Sequence, residues 1–550
     1  MSPLKFVALS GTISVTENLY IYEADGKMMI VDCGVGFPDL EMPGVELVLP
    51  DFSYIIQNKE KLVGIIVSQG HEDHIGALPF LLKEVHVPVW AAPLVKGFIE
   101  DKFEEHNLRD ITINIFNPDK DTFKVGPFTI HPFRVTHSVP DTAGFAIDTP
   151  QGRIFHVPEH KMDQHPVDGM EFDVERAKEL ASQEKPLFLA SDCLGSNKPG
   201  FTKGETQVEG NMLAIIEKAP KSVFATAISS NIGRFQQLIN IAQKLGKKVV
   251  YVGRSIQKKA EIAHELGILK YPENAVINLR DVVKYNSNQI LYIIAGCYGQ
   301  EGSSLYRLAT DTHERVSIDQ GDMVVFSADP APPYTKESED FVIDELLDKG
   351  ADVHYYDLNE DLYSSGHGGQ SDIIELFKIV NPKYFIPIGG AVRFMHSYKK
   401  LAVNFGAKEN EVFMLKPGDN VIFENGQVIR GPRIPTKEVL VHGLGIGDIG
   451  KIVLGERSIL GAEGVAIPVI KTNKNMNIQG DIKIISKGFI FEKIDKGMLV
   501  DAGKKLKNHL ENKHIVKRNQ MESESQKFLE KLFFTIIGRR PMVLPVVIEV

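Results

Sequence analysis

The apolar, β-branched run Val63 to Val67 leads directly into Gln69-Gly70-His71-Glu72-Asp73-His74-Ile75-Gly76, and an amphipathic stretch follows from Ile75 to Val85. That order reads as buried strand, short loop and helix. It constrains the fold because α/β proteins place ligands on loops at the carboxyl ends of their strands. This loop concentrates imidazoles and a carboxylate at such a place. His71, Asp73 and His74 together offer two nitrogen ligands and one oxygen ligand, a set suited to a borderline metal such as zinc. Asp73 and His74 are neighbours whose side chains must diverge, so one loop can serve two ions a few ångströms apart. A merely solvated polar loop is the alternative, and this density of His and Asp against a buried strand argues against it.

Further short segments recur along the chain in a recognisable order. They are Val31-Asp32-Cys33-Gly34, Thr136-His137-Ser138, Val157-Pro158-Glu159-His160, Ser191-Asp192, Ser230-Asn231 with Arg234-Phe235-Gln236-Gln237, Val252-Gly253-Arg254-Ser255, Ser365-Gly366-His367 and Gly538-Arg539-Arg540-Pro541. Taken with the His-x-Asp-His loop, this series resembles the ribonuclease J family of metallo-β-lactamase-fold nucleases across nearly the whole chain. Each segment is weak alone; their order carries the resemblance.

The departures matter as much. Where active members of the family begin the second motif with histidine, this chain has Gln69. The bridging aspartate position is Glu159, and the last ligand histidine is replaced within Gly389-Gly390-Ala391-Val392-Arg393. The histidine of the Ser-Asn-x-His-Arg segment is Gly233, and the Gly-rich N-terminal turn has become Leu9 to Val15. By resemblance one ion would take positions 69, 71 and 137, and the other 73, 74 and 389, with 159 bridging. The expected ligands are therefore His71, Asp73, His74, His137 and Glu159, holding at most one tightly bound zinc or manganese ion. A substitute ligand from His156, His160, His165 or His396 is not expected; His396 lies seven residues past Gly389, about 10 Å along a helix.

The resemblance also implies roles. The family's chemistry is metal-assisted hydrolysis of a phosphodiester by water. Asp73 is expected to orient the attacking water, and His367 to stabilise the phosphorus centre or protonate the leaving oxygen. For His367 the bland alternative is a structural imidazole. Asp32 and Asp192 would act from the second layer, with Asp192 either orienting a ligand histidine or capping a loop. Ser230, Asn231, Arg234, Arg254, Ser365 and Gly366 would face RNA phosphate; for Arg254 a surface ion pair is the equal alternative.

The expected class is α/β: a metallo-β-lactamase αββα sandwich with an inserted β-CASP α/β domain and a small C-terminal α/β domain. Strand-like segments alternate with helical ones from Met28–Cys33 through Leu187–Ser191. Cleaner alternation follows at Val223–Ala227, Val249–Val252, Ile290–Ala295 and Met323–Ser327, which implies a parallel sheet. The boundaries read as 1–203 for the first part of the metallo-β-lactamase domain, 204–361 for the β-CASP domain and 362–430 for the return. A glycine-punctuated linker follows at 431–458, and a C-terminal domain at 459–550.

Bulk properties exclude several classes. A chain of 550 residues divides into more than one domain. No apolar run approaches the roughly 20 residues needed to span a bilayer, so no membrane partner is expected. Met1 to Gly11 lacks a leader pattern, and Cys33, Cys193 and Cys297 form no paired framework; a cytoplasmic, reducing setting is expected. The net charge of −10 is not the footprint of a general nucleic-acid binder. Lys471 to Gln520 nevertheless holds twelve Lys and Arg against five Asp and Glu, either a solvated helical face or a guide for RNA.

Two functions fit the sequence. One is a metal-dependent ribonuclease, endonucleolytic and 5′-3′ exonucleolytic as the family is, with activity reduced by Gln69, Glu159 and Gly389. The other is an impaired paralogue that binds RNA or pairs with an active ribonuclease J as a hetero-oligomer. The apolar terminus Val543 to Val550 is expected to be tied into a sheet of the C-terminal domain, and that domain to make a subunit contact, in a homo-oligomer or in a hetero-oligomer with an active ribonuclease J.

Overall fold

The computed structural model describes residues 2–39, 41–328, 335–443, 445–490 and 492–550. The chain forms two compact units, one of residues 1–37 with 47–439 and one of residues 38–46 with 440–550.

In the first unit two sheets face each other. One runs Gln427–Arg430, Asn420–Glu424, Leu4–Ala8, Tyr20–Ala24, Lys27–Val31, Leu62–Ile66, Val89–Ala91, Ile113–Ile115, antiparallel as far as Lys27–Val31 and parallel beyond it. The other runs Tyr384–Ile388, Phe188–Asp192, Gly152–Val157, Ala143–Thr149, Phe128–Arg134, Phe123–Val125. Period-two burial drives this arrangement, because alternate side chains of each strand point into the shared core. Phe188 of the second sheet stacks on Phe423 of the first at 4.9 Å and on Tyr22 at 6.4 Å. Helices Gln370–Val380 and Val392–Phe405 close the far side, with Phe377 against Phe385 at 4.9 Å and against Tyr398 at 5.1 Å. This is the αββα sandwich.

An inserted domain interrupts the second sheet between Phe188–Asp192 and Tyr384–Ile388, which pair in parallel although far apart in sequence. Its own five-stranded sheet is wholly parallel, in the order Lys248–Val252, Ile290–Ile294, Val223–Thr226, Met323–Phe326, Asp352–His354. Helices Glu205–Ile216, Ile232–Lys244, Arg254–Glu265, Ser304–Ala309 and Lys336–Asp348 alternate with these strands. The expected helix from Ile75 to Val85 differs in detail. Helical turns occupy Glu72–Ile75 and Leu78–Leu82, so Glu72, Asp73 and His74 lie on a helical turn rather than on an open loop.

The second unit begins before the expected boundary at 459, and the expected linker at 431–458 is largely built into it. Residues Val439–His442 and Gly445–Ile446 pair as strands, and helix Lys451–Glu463 starts after Gly450. Its glycines terminate and turn short elements, with φ +57° at Gly443 and +72° at Gly447. Strand Val465–Thr472 is central, flanked by Lys483–Lys487 and, in parallel, by Met542–Val543 and Val546–Glu549. The terminal strand is thus paired in the sheet. Helices Glu492–Glu511 and Arg518–Ile537 cover one face, burying Ala466, Ile470, Val543 and Val547 with Leu506, Leu529 and Phe533. On the other face Ile485, Val546 and Ile548 remain exposed. Lys504 and Lys505 of the basic segment stand exposed on their helix.

Candidate metal centre

Strand Leu62–Ile66 ends under the cluster, and its continuation through Ser68 and Gln69 delivers His71 into the first turn of helix Glu72–Ile75. Asp32, just past strand Lys27–Val31, takes a left-handed backbone with φ +60°. This turns its carboxylate toward the cluster, where Oδ1 accepts from the Ser68 amide at 2.8 Å and Oδ2 from the Ser68 hydroxyl at 2.7 Å. Oδ2 also lies 2.8 Å from Nδ1 of His74. That bond fixes the ring, so Nε2 is the atom His74 presents to the centre.

Two donor groups share one carboxylate. His71, His137 and Glu159 form the first, and Asp73, His74 and Glu159 the second. In the first, Nε2 of His137 is 2.8 Å from Glu159 Oε2 and 3.3 Å from His71 Nδ1, while His71 Nδ1 lies 3.9 Å from the same carboxylate oxygen. Nδ1–H of His137 donates to the Gly366 carbonyl at 2.9 Å, which turns Nε2 inward. A Cβ at Gly366 would stand 2.6 Å from the His137 ring, so only glycine allows this approach. Gln69 completes neither group. Its amide nitrogen donates to Glu159 Oε2, and its oxygen accepts from the His71 backbone amide at 3.0 Å. Both polar atoms are committed, leaving no oxygen aimed at an ion.

In the second group His74 Nε2 is 3.1 Å from Glu159 Oε1 and 3.5 Å from Asp73 Oδ2. Asn18 enters here. Its amide nitrogen lies 3.1 Å from Asp73 Oδ2 and 3.0 Å from His74 Nε2. The Tyr20 hydroxyl, 2.7 Å from Asn18 Oδ1, sets the orientation of that amide. Position 389 contributes no side chain, and its backbone is left-handed at φ +66°.

The electrostatics follow from burial and close charges. Burial, reinforced by His137, holds His71 well below the ordinary histidine value, hence neutral. Burial also opposes charge on His74, but Asp73, Glu159 and Asp32 outweigh it and raise the imidazole well above its usual range. Burial opposes ionisation of Glu159, and His74, His367 and His137 overcome it, holding the carboxyl low. Asp73 is pushed up to about 7, chiefly by burial.

His367 sits beside the first group, its ring 5.7 Å from that of His137. Nδ1 of His367 is 2.7 Å from Asp192 Oδ2, and Asp192 Oδ1 accepts from the Leu194 amide at 2.7 Å. Asp192 therefore holds His367 and accepts within its own loop, where the sequence left open either a ligand-orienting or a loop-capping role. Ser365 accepts from the His367 amide at 3.1 Å. With the Gly366 carbonyl on His137, this segment shapes the centre from behind, whereas the sequence placed both residues toward RNA.

The expected phosphate wall is rearranged. Arg234 is fully buried, its guanidinium spent on Glu205 at 3.1 Å, Ser327 at 2.9 Å and the Leu362 carbonyl at 3.2 Å, so it cannot reach a phosphate. Asn231 caps helix Ile232–Lys244 by accepting from the Arg234 amide at 2.9 Å, and Ser230 is buried beside it. Asn231 and Gly233 nonetheless line a small cavity of about 30 Å³ with His137 and Ser138. Arg254 is exposed and ion-paired with Glu105. Among the surplus histidines, His156 bonds the Tyr22 hydroxyl at 2.8 Å, His160 is buried, and His165 and His396 are exposed. Asn18 and Glu72 were not legible as functional residues. Glu72 pairs with Lys102 at 2.5 Å and with Lys259 at 3.2 Å, joining the metal turn to helices Pro93–Glu105 and Arg254–Glu265.

Comparison with known proteins places this geometry. Residues 29–174 match the beta-lactamase superfamily domain, 220–346 the ribonuclease J beta-CASP domain, 359–415 the Zn-dependent metallo-hydrolase RNA specificity domain and 452–550 the ribonuclease J C-terminal domain. Ribonuclease J 2 of Staphylococcus aureus (strain MRSA252) is 31% identical over 100% of this chain and 98% of its own length. The chain belongs to the ribonuclease J family. Ribonuclease J2 of Bacillus subtilis (strain 168) is 29% identical over 100% of this chain and 99% of its own. A crystallised protein of unknown function from Enterococcus faecalis V583 shares the fold, with TM-score 0.52 and 13% identity over 76% of this chain and 100% of that one. For this ribonuclease J family member, the matched domains support a ribonuclease-like function on RNA, and the two donor groups are candidates for a divalent metal. Among the described residues, no helix is long and apolar enough to cross a membrane.

Proposed function

We propose that the protein is a metal-dependent RNA phosphodiester hydrolase of RNA processing or decay, with a weakened centre that holds at most one tightly bound zinc or manganese ion. The observation that carries this reading is the asymmetry of the two donor groups. His71, His137 and Glu159 converge with His137 oriented from behind by Gly366. The second group is crowded by the Asn18 amide and lacks a side chain at 389. Three nitrogen and carboxylate donors with an open position suit a catalytic ion. Such an ion supplies electrophilic stabilisation of phosphoryl oxygens and a lowered water pKa.

The chain's own residues perform the remaining tasks. Glu159 joins both groups and neutralises positive charge between them. Asp73, pushed up to about 7, is suited to take a proton from attacking water. His367, whose Nδ1 is held by Asp192, is suited to protonate the leaving oxygen. A second reading, an RNA-binding partner subunit of an active ribonuclease J, is favoured by the committed amide of Gln69.

Hydrolysis of 5′-monophosphorylated RNA by the parent and by Gln69→His with Gly389→His separates the two. The hydrolase reading expects measurable cleavage by the parent, dependent on divalent metal, and a larger gain from the double variant than from either single one. Gly389→His must adopt φ near +66°, which histidine tolerates at some cost. A parent that binds RNA without any cleavage at saturating manganese overturns the hydrolase reading.

A further inference from the structure

A cavity of about 1090 Å³ opens on the inserted domain at the edge strand Lys248–Val252. None of the metal-centre residues lines it. One wall is a face of helix Arg254–Glu265, whose positions 254, 257, 261 and 264 recur at helical spacing. The floor is apolar, from Val276, Ile277 and Leu279. On it the His264 and Tyr271 rings lie parallel, 4.0 Å apart at an interplanar angle of 10°. Nδ1–H of His264 donates to the Leu269 carbonyl at 2.9 Å, which locks the ring in that stack.

Arg280, Arg307 and Arg315 line the same cavity from separate segments. Among the described residues none of the three is within ion-pair distance of a carboxylate, although Glu261, Glu273 and Glu314 also line the cavity. The Glu261 carboxylate is instead bonded by Gln257 at 2.8 Å. Burial, then Arg307, depress the nearby His313 below the ordinary histidine value, with Glu314 opposing and Arg315 adding to the shift. Unpaired guanidinium groups beside a flat aromatic stack suit two chemical features at once. Arginine grips phosphate oxygens in bidentate fashion, and a π-face accepts a nucleobase of any identity.

We propose that this cavity is a binding site for a ribonucleoside phosphate, with the base on the His264–Tyr271 stack and the phosphates on Arg280, Arg307 and Arg315. The source is a free nucleotide or a segment of an RNA strand; the recognised chemistry is the same. The volume exceeds what one nucleotide fills, leaving room for a second residue of a strand. The site is separate from the metal centre and is reached from the other side of the helix that carries Lys259 to Glu72.

Calorimetric titration of the full chain with adenosine 5′-diphosphate, inorganic pyrophosphate and a short oligoadenylate tests this, in chelator so that hydrolysis does not intervene. Arg280→Gln with Arg315→Gln, both at exposed positions, is expected to weaken whichever of ADP and oligoadenylate the parent binds by about tenfold or more. Tyr271→Ala is expected to weaken the nucleotide or oligonucleotide while leaving pyrophosphate unchanged, since pyrophosphate has no base to stack. Circular dichroism checks that each variant is folded, and Tyr271→Leu serves if alanine unfolds the domain. ADP binding in preference to oligoadenylate assigns a free nucleotide; the reverse preference assigns an RNA strand. A parent that binds neither, or an arginine variant that binds both as tightly as the parent, overturns the proposal.

Discussion

The side-chain amide of Asn18 lies 3.0 Å from Nε2 of His74, on the side where that imidazole would meet a second ion. Asn18 stands 55 residues before Asp73, whose carboxylate it also contacts at 3.1 Å. A neutral amide therefore occupies the corner of the second donor group. Asn18→Asp converts this into a fourth donor, and an anionic one. The variant is expected to gain one equivalent of zinc or manganese over the parent. In chelator its melting temperature is expected to fall, because the introduced carboxylate would face Asp73 and Glu159 uncompensated, and metal is expected to restore it. Elemental analysis and thermal unfolding with and without manganese read both outcomes; unchanged metal content refutes the role given to Asn18.

Glu72 belongs to the His-x-Asp-His segment without being a ligand. It joins Lys102 and Lys259, so one carboxylate ties the metal turn to both domains of the first unit. Glu72→Gln is expected to cost about 1 kcal/mol, a modest sum because the carboxylate is partly solvated. Amide exchange is expected to accelerate in Arg254–Glu265 and to stay unchanged in Gln370–Val380. Equal acceleration in both helices would show a general loosening instead.

Asp192 Oδ2 lies 2.7 Å from Nδ1 of His367. His367→Ala is expected to lower the cleavage rate about a hundredfold or more, as loss of a general acid does. Asp192→Asn is expected to shift the pH profile as well as the rate, since it removes the charge that holds the His367 tautomer. The double variant should be little worse than His367→Ala, because both act as one unit. Additive losses would place Asp192 elsewhere in the mechanism.

Glu17 gives a pH signature unrelated to the metal ligands. Burial, reinforced by Glu438, pushes it up from about 4.5 to about 8. The folded chain thus binds a proton that the unfolded chain releases between those values, so Glu17 costs stability progressively as pH rises from about 4.5 to about 8. Glu17→Gln lacks this cost. Its stability relative to the parent is expected to improve by roughly 2 kcal/mol between about pH 5 and about pH 8.5 in urea unfolding. A pH-independent difference contradicts the raised value.

The outer face of the C-terminal sheet carries exposed Ile485, Val546 and Ile548. Ile467 and Ile485 are register partners on it, as are Val469 and Val546. A dimer through this face is expected, and Ile485→Asp with Ile548→Asp should yield monomers with the metal turn still folded. Light scattering that finds the parent monomeric at tens of micromolar sinks this expectation.

Much of this was legible in sequence because it is local. The strand Leu62–Ile66 and the parallel alternation of the inserted domain follow from short apolar runs broken by turn residues, and family order located Glu159 and His367. What was not legible depends on pairs distant in the chain. Nothing near Asn18 marks it, since its role comes from Tyr20, Asp73 and His74. Arg234 reads as a phosphate ligand until Glu205 is seen to claim it. The arginines of the large cavity come from separate segments, none of which is a motif alone.

The two donor groups are unequal, and the chain is expected to retain at most one tight ion. Metal content per chain, measured on protein purified without chelator and dialysed, tests it most directly. No more than one equivalent of zinc or manganese is expected, lost on His71→Ala or His137→Ala and retained when Asp73→Asn alters the second group. Two equivalents in the parent, or one that disappears with Asp73→Asn and survives His137→Ala, would contradict it.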